Sequence, residues 1–502
     1  MDAPAPQPTF AVDGNRLTLL DTGPRRLDAL LALIAGAAHS LRILYYIYAD
    51  DTTGRRVNAA LIAAAERGVD TALIVDGFGS ETDDAFYAPL REAGVSVCRF
   101  APRFGRRYLL RNHQKLALAD AGQSGERIII GGFNVEDDYF GTPAQEAWRD
   151  LGLLVEGPAA GRLAGYFDAL HDWLRLPKGK VRPLNKALAR WSEAHGDTRW
   201  LIGGPTRRLS PWARAVRDDL RRGKRIDIIA AYFTPSPTIL RRLDKAGRRK
   251  AKVRVVTASK SDNNATIAAA RFTYAGLLRK GVALYEYLPT KLHTKLYVID
   301  DVVYVGSANF DMRSLFINME LMLRVHDAAF AAHVRTYIEG EIARSQPITR
   351  SWYKAHTGVL QRLRQFAAYL LIAVVDPSVS RGLNFGRDPL FRQPQQALAA
   401  IDVPGAHADE IAIDQILHHP AKRLFGHRQQ QQQIADGDVG AAPDEIKRPV
   451  MRAPQAQFGQ LFVRRAQKPR LGEHHQFHAA ADRGVAQEQG RGMLRSVHIG
   501  RD

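Results

Sequence analysis

The chain repeats itself, and that limits its possible folds more than any other feature. Asn15-Arg-Leu-Thr-Leu-Leu-Asp-Thr-Gly-Pro24 is matched by Thr198-Arg-Trp-Leu-Ile-Gly-Gly-Pro205, with the two Gly-Pro pairs 181 residues apart. Behind each comes the same succession. Helical patterns lie at 27–38 and 211–220, apolar strands at 41–48 and 226–233, second helices at 57–67 and 238–246, and second strands at 71–75 and 252–257. His113-Gln-Lys115 then meets His293-Thr-Lys295 at an offset of 180. Alternating strand and helix in both halves predicts two α/β domains with mainly parallel central β-sheets flanked by helices. Matching polar residues separate a true duplication from two unrelated α/β patterns.

The halves are expected at residues 1–176 and 198–387. A linker at 177–197 is marked by Pro177, Gly179 and Pro183, which interrupt the pattern. From 388 to 502 the character changes: a five-glutamine run at 429–433, half of the 16 histidines and no sustained periodicity. This tail reads as a low-complexity, disordered extension dispensable for chemistry. Its histidines, His418, His419, His474 and His475, lack the regular spacing of a metal site.

The polar residues of the repeat carry the chemistry. The first half reads His113-Gln-Lys115-Leu-Ala-Leu-Ala-Asp120, then Gly131-Gly132-Phe-Asn134; the second reads His293-Thr-Lys295-Leu-Tyr-Val-Ile-Asp300, then Gly306-Ser307-Ala-Asn309. In a strand, residues two apart share a face, so each His projects beside its Lys. An imidazole next to a fixed ammonium suits attack on a phosphodiester. Facing halves would place two imidazoles on opposite sides of one phosphorus, as in-line displacement requires. Lys115, Lys295, Asn134 and Asn309 would then hold the non-bridging oxygens, so the expected reaction uses no metal and no other cofactor. Asp120 and Asp300 lie seven residues past each His. On a continuous strand they point away, and a turn or ion pair competes with a catalytic role. Asp150 and Glu320 each precede an apolar strand and could bond the far nitrogen of an imidazole, fixing its tautomer. For Asp150 a plain surface carboxylate is the competing reading.

These residues resemble the paired histidine-lysine-aspartate motifs of the phospholipase D superfamily, and more closely those of bacterial cardiolipin synthases lacking N-terminal transmembrane helices. Val305-Gly-Ser-Ala-Asn-Phe-Asp-Met-Arg-Ser-Leu-Phe-Ile-Asn-Met-Glu320 resembles the second-motif region of those synthases almost position by position. Ile130-Gly-Gly-Phe-Asn134, Trp148-Arg-Asp150 and Tyr232-Phe-Thr-Pro235 are similar too. The likeness runs from about Asn15 to Arg387. It implies two domains sharing one active site at their interface and a metal-free, two-step transfer through a phosphohistidine. By that resemblance His113 attacks and His293 serves as acid and base, although near-symmetric motifs leave the reverse open. The implied donor is phosphatidylglycerol or phosphatidylethanolamine, and the implied acceptor a phosphatidylglycerol hydroxyl.

Charge and composition bound the partners. Lys and Arg number 71 against 52 Asp and Glu, a net charge of +19, of which +17 falls on the first 387 residues. Such a chain favours anionic partners: here phospholipid substrates and a membrane surface, with no specific nucleic acid expected. The single cysteine, Cys98, excludes an intramolecular disulfide framework. No signal peptide and no apolar run of spanning length is visible, so the expected location is peripheral on the cytoplasmic face of the cell membrane, or cytoplasmic. Docking is expected from a basic cluster (Arg241, Arg242, Lys245, Arg248, Arg249, Lys250, Lys252, Arg254) and a smaller one (Arg103, Arg106, Arg107, Arg111). Residues 360–375, basic then apolar, suit either an interfacial helix or a core-packing one. Competing functions are a phospholipase D-type hydrolase, a metal-independent nuclease of the same superfamily, and a non-catalytic anion binder.

Overall fold

The computed structural model describes residues 7–101, 110–176, 181–206 and 209–375. The tail, the Arg103, Arg106 and Arg107 cluster and part of the linker lie outside the described residues.

Each half builds one eight-stranded sheet. In the first, the order is Thr9–Val12, Asn15–Leu20, Gly152–Glu156, Arg127–Gly131, Leu116–Ala119, Ser40–Tyr45, Asp70–Asp76, Ser96–Phe100. The second half repeats seven of these positions in the same order: Thr198–Gly203, Glu320–His326, Val302–Gly306, Lys295–Ile299, Arg225–Ala230, Lys252–Ala258, Ala283–Tyr287. Ser345–Ile348 closes its far edge. The α/β duplication is therefore present, but the sheets are mixed rather than mainly parallel. Within these two sheets only Ser40–Tyr45, Asp70–Asp76 and Ser96–Phe100, with their counterparts, pair in parallel. Parallel neighbours need a helical crossover, and Thr52–Glu66, Asp84–Glu92, Pro237–Arg248 and Asn264–Arg279 supply four. Beyond each His-x-Lys the chain turns back through a short loop instead, and a short loop makes antiparallel pairs. In the second half that loop is Asp300-Asp301 alone.

Period-two alternation sorts each strand between two cores. Leu116, Leu118, Ile128 and Ile130 from the first sheet meet Leu296, Val298, Val303 and Val305 from the second in one shared core. Their neighbours Ala117, Ala119 and Ile129 face the outer helices of the first half, and Tyr297, Ile299 and Tyr304 those of the second. Full burial of each such aliphatic side chain contributes roughly 1.5–3 kcal/mol, so the contact between halves is part of the core and not an add-on. Gly23-Pro24, a punctuation mark in the sequence, opens helix Gly23–Ala35, with proline in the first turn where its missing N–H is harmless. Residues Val181–Arg190, inside the expected linker, form a helix that buries Leu184 and Leu188.

Asp120 and Asp300 belong to the fold, not to the chemistry. Both adopt left-handed backbone, with φ of 52° and 48°, a conformation Asp tolerates better than most side chains. The Asp120 carboxylate accepts N–H groups of Ala38, His39 and Ser40 at 2.6–3.1 Å. Asp300 accepts those of Lys224 and Arg225 at 3.0 and 2.8 Å. Each sits at the far end of a strand whose beginning carries the Lys, roughly 15 Å away at strand rise. Burial raises the Asp120 carboxyl, but its backbone donors outweigh that and hold it below the usual carboxylate range. The later part of the larger basic cluster, from Lys245 to Arg254, also sits at that remote end, where Lys252–Ala258 begins. Arg254 there is tied to Asp227 and Glu339 at 2.6 and 2.8 Å, and Arg248 to Asp244 at 3.4 Å.

Asp120→Ala should therefore lower stability by about 1–3 kcal/mol in urea denaturation while turnover per folded molecule stays within about twofold. Stability at wild-type level with turnover lost would return Asp120 to the chemistry.

Candidate active site

Two short parallel bridges join the halves and set the site. Asn112 pairs with Met319, and Arg149 with Leu292. The His113 N–H donates to Met319 O at 2.9 Å, and the His293 N–H to Arg149 O at 2.7 Å. The next residue after Met319 is Glu320, and the next after Arg149 is Asp150. Each histidine is thereby fixed beside a carboxylate of the other half. Nδ1 of His113 lies 3.1 Å from Glu320 Oε2, and Nδ1 of His293 lies 2.6 Å from Asp150 Oδ2. Asp150, open to a surface reading in the sequence, is completely buried, as is Glu320.

The Gly-[Gly/Ser]-x-Asn segments explain how two different acids fit matching positions. A Cβ on Gly132 would stand 2.5 Å from Asp150 Oδ1, so the short aspartate occupies the space a side chain would need. The counterpart of Gly132 is Ser307, and there the longer glutamate is met by a hydroxyl. Ser307 Oγ donates to Glu320 Oε2 at 2.5 Å, and Ser314 Oγ to Oε1 at 2.8 Å. Gly131 and Gly306 are held to glycine by carbonyls of the adjoining chain, Leu151 O and Leu321 O, at 2.6 and 2.1 Å from a built Cβ.

Both lysines are buried with the histidines. Lys115 Nζ donates to His113 O at 2.7 Å and lies 5.0 Å from the Tyr46 ring centroid. Lys295 Nζ donates to His293 O and lies 2.9 Å from His293 Nδ1. Nδ1 cannot both donate to Asp150 and accept from Lys295. The shorter contact, to a carboxylate, takes the proton, and the lysine is simply near. With Nδ1 committed in both rings, Nε2 is the nitrogen left for chemistry. Each ammonium keeps donors beyond its carbonyl bond, since a lysine has three.

The expected asparagines stand in unequal states. Asn134 is engaged: its amide donates to Tyr139 Oη at 3.0 Å and accepts from the Ile47 N–H at 3.2 Å, leaving one N–H. Asn309 is buried, and among the described residues its Oδ1 has no hydrogen-bond partner. Aromatic edges enclose the rings; Trp148 and Tyr232 come from motif-like segments noted in the sequence, Tyr46 and Tyr139 do not. Tyr139 and Trp148 lie at 5.1 and 5.2 Å from His293, Tyr232 at 6.3 Å, and Tyr46 at 5.0 Å from His113. Buried Arg26, also unannounced, ties Asp150 O and Tyr139 O at 2.5 and 2.7 Å. The one available signal was its place on the inner side of an amphipathic helix.

The flanks differ in charge. Arg111 packs 3.9 Å over Phe78 and reaches Tyr46 Oη at 3.5 Å. On the other flank Tyr232 Oη donates to Asp262 at 2.6 Å.

Burial, then the nearby lysines, push His113 well below the usual imidazole range and His293 down to about 4. The pair at 2.6 Å is thus a neutral imidazole donating to an anion, not a salt bridge. Burial likewise lowers Lys295 to about 8 and Lys115 well below its usual value. Burial raises the Asp150 carboxyl, but His293 and Lys295 outweigh it and hold Asp150 below the ordinary range. Burial lifts Glu320 to about 8 against the pull of Lys115 and the two serine hydroxyls. Burial and the lysines thus hold both histidines toward the free base, while Lys295 keeps its charge below about 8.

Two outcomes follow. kcat/KM should fall as pH passes about 8, where Lys295 loses its charge. A flat profile from pH 7 to 9 would contradict this charge state. Asp150→Asn offers an amide where Nδ1–H needs an acceptor and should cost roughly 10²–10⁴-fold in kcat with the fold intact.

Comparison with known proteins agrees with this architecture. The family model described as "Cardiolipin synthase, PLD-like domain" matches residues 30–171 and 217–342, once in each half. Cardiolipin synthase 1 of Bacillus cereus is 30% identical over 358 residues, covering 67% of this chain and 68% of that protein. Cardiolipin synthase B of Salmonella typhi is 30% identical over 384 residues, covering 71% and 89%. A phosphatidylserine synthase from Haemophilus influenzae Rd KW20, solved by crystallography, shares the fold at a TM-score of 0.57 and 12% identity, over 73% of this chain and 97% of its own. A duplicated family model and relatives at this identity leave one placement: the chain belongs to the phospholipase D-like cardiolipin synthase family, as an enzyme of the phosphatidyltransferase type.

Proposed function

We propose that the enzyme makes cardiolipin by transferring a phosphatidyl group to a phosphatidylglycerol hydroxyl, with phosphatidylglycerol or phosphatidylethanolamine as donor. The observation carrying this reading is the crosswise pairing of two buried imidazoles with Asp150 and Glu320, around two buried ammonium groups. The donor's anionic phosphodiester binds between the rings. Lys115 and Lys295, with Asn134 and Asn309, take its non-bridging oxygens. The bound anion favours the imidazolium form of a neighbouring histidine, against the depression that burial and the lysines impose.

His113 Nε2 attacks phosphorus as the bond to the headgroup oxygen breaks, and His293 gives that oxygen its proton, releasing glycerol or ethanolamine. A phosphatidyl-histidine remains. His293, now neutral, takes the proton of the acceptor hydroxyl, whose oxygen displaces His113. Protons and charges balance over the two steps, and the enzyme returns to its starting state. Asp150 and Glu320 keep each Nδ1 occupied so that Nε2 does the work.

Incubation of the purified chain with phosphatidylglycerol vesicles and a chelator should yield cardiolipin and free glycerol. Phosphatidic acid as the sole product would make water the acceptor and the enzyme a hydrolase. With label in the donor phosphate, His293→Ala should accumulate labelled enzyme that is acid-labile and alkali-stable, and His113→Ala should form none. The opposite pattern would exchange the two roles.

A further inference from the structure

Residues 359–375 present two unlike faces. Helix Val359–Tyr369 runs on into a π-helical segment, Leu370–Val375. One face packs against helix Asn264–Arg279, with Phe366 and Tyr369 at 5.5 and 5.0 Å from the Phe272 ring. Tyr369 and Ala373 join Ala269 and Met312 in a small separate core. This part of the segment packs as a core helix would.

The opposite face is bare. Leu360, Leu363, Leu371 and Val375 expose 81, 56, 56 and 42% of their surface, at three- to four-residue steps bridged by exposed Ala367. Among the described residues eight large apolar side chains are exposed, and five of them, counting Val359, lie on this one segment. Single exposed leucines need no explanation, but a continuous helical stripe does. The charge beside it has one sign. From Arg350 to Val375 the chain has Arg350, Lys354, Arg362 and Arg364 and not one Asp or Glu. Among the described residues neither Arg362 nor Arg364 pairs with a carboxylate.

That sign selects the occupant. A second copy docked face to face would set four cations against four. Residues 376–502 hold 17 Lys and Arg against 14 Asp and Glu, so they bring no net anionic complement. An anionic phospholipid surface supplies both an apolar layer for the leucines and phosphates for the arginines.

The stripe is also tied to the catalytic pocket. Tyr369 Oη donates to Pro235 O at 3.1 Å. Three residues before Pro235 is Tyr232, edge-on to His293 and bonded to Asp262. Asp262 directly precedes Asn263, the N-cap of the helix on which the segment lies. Ala269, the contact of Tyr369 and Ala373, is thus only about 8 Å along that helix from the pocket rim. The Leu371–Val375 end of the stripe is the end nearest the pocket.

We propose that Leu360, Leu363, Leu371 and Val375, flanked by Arg362 and Arg364, dock the enzyme on an anionic phospholipid bilayer and hold the His113–His293 pocket at the lipid surface. The proposal rests on the phospholipid-substrate reading above and locates the membrane contact away from the Lys245–Arg254 part of the large basic cluster, which lies at the remote end of the sheet.

Co-sedimentation of the full chain with phosphatidylglycerol-containing vesicles tests it. Leu360→Glu with Leu363→Glu, both on exposed positions, should weaken binding by about tenfold or more, and Arg362→Glu with Arg364→Glu should do likewise at low salt. Binding equal to wild type in both variants would overturn the proposal. So would a change confined to oligomer size, which would assign the stripe to a second copy. Should either variant fold poorly, Leu363→Trp keeps the stripe apolar and should add a blue-shifted emission when vesicles are mixed in; an unshifted increment would overturn the proposal. Turnover of short-chain, fully dispersed phosphatidylglycerol is measured alongside. Its absence in wild type, with vesicle binding still lost in the variants, would sink the proposed function and leave the docking surface standing.

Discussion

Everything at the site depends on a backbone exchange between the two halves. Asn112 bridges to Met319 and Arg149 to Leu292, and these two contacts put each imidazole beside a carboxylate that belongs to the other domain. Neither half alone contains a histidine with its orienting acid. A shared apolar core of sheet-face aliphatics stands behind the bridges, so separating the domains would expose that core as well as dismantle the site. Stability and chemistry are therefore drawn from the same interface.

Burial is the second constraint, and it explains why the site is built of so many partners. Two lysines, two histidines and two acids without solvent would be costly if any of them lacked a bond. The lysines are given carbonyls, Glu320 two serines, Asp150 the Leu151 N–H at 2.7 Å, and the histidines the acids. The Asp150 carboxylate answers part of the lysines' positive charge. Under the proposed function a phosphodiester anion answers the rest.

How much of this was legible in the sequence varies with the range of the interaction. The duplication, the strand-helix order and the His-x-Lys pairs are local patterns, and local patterns survive in one dimension. Sheet sense was not legible at the point where crossovers give way to hairpins, because Asp300-Asp301 looks like the end of a motif before it looks like a turn. Asp120 and Asp300 recur so faithfully beside the histidines that they read as chemistry. Their left-handed backbone and amide partners show recurrence kept for the fold instead. Asp150 was noticed, but its partner was not, since nothing in a linear sequence says that His293 lies across the interface from it. The pairing of Gly132 with Asp150 and of Ser307 with Glu320 is a side-chain volume exchange visible only with both halves in place.

The crosswise pairing is the central claim, and imidazole nitrogen chemical shifts in protein labelled with 15N-histidine test it most directly. Resonances of His113 and His293 are identified by their loss in the single alanine variants. Nδ1–H is predicted for His293, and Asp150→Asn should change its tautomer while leaving His113 as it was; Glu320→Gln should do the converse. Should Asp150→Asn move the His113 signals, or neither set, the crosswise arrangement would be wrong.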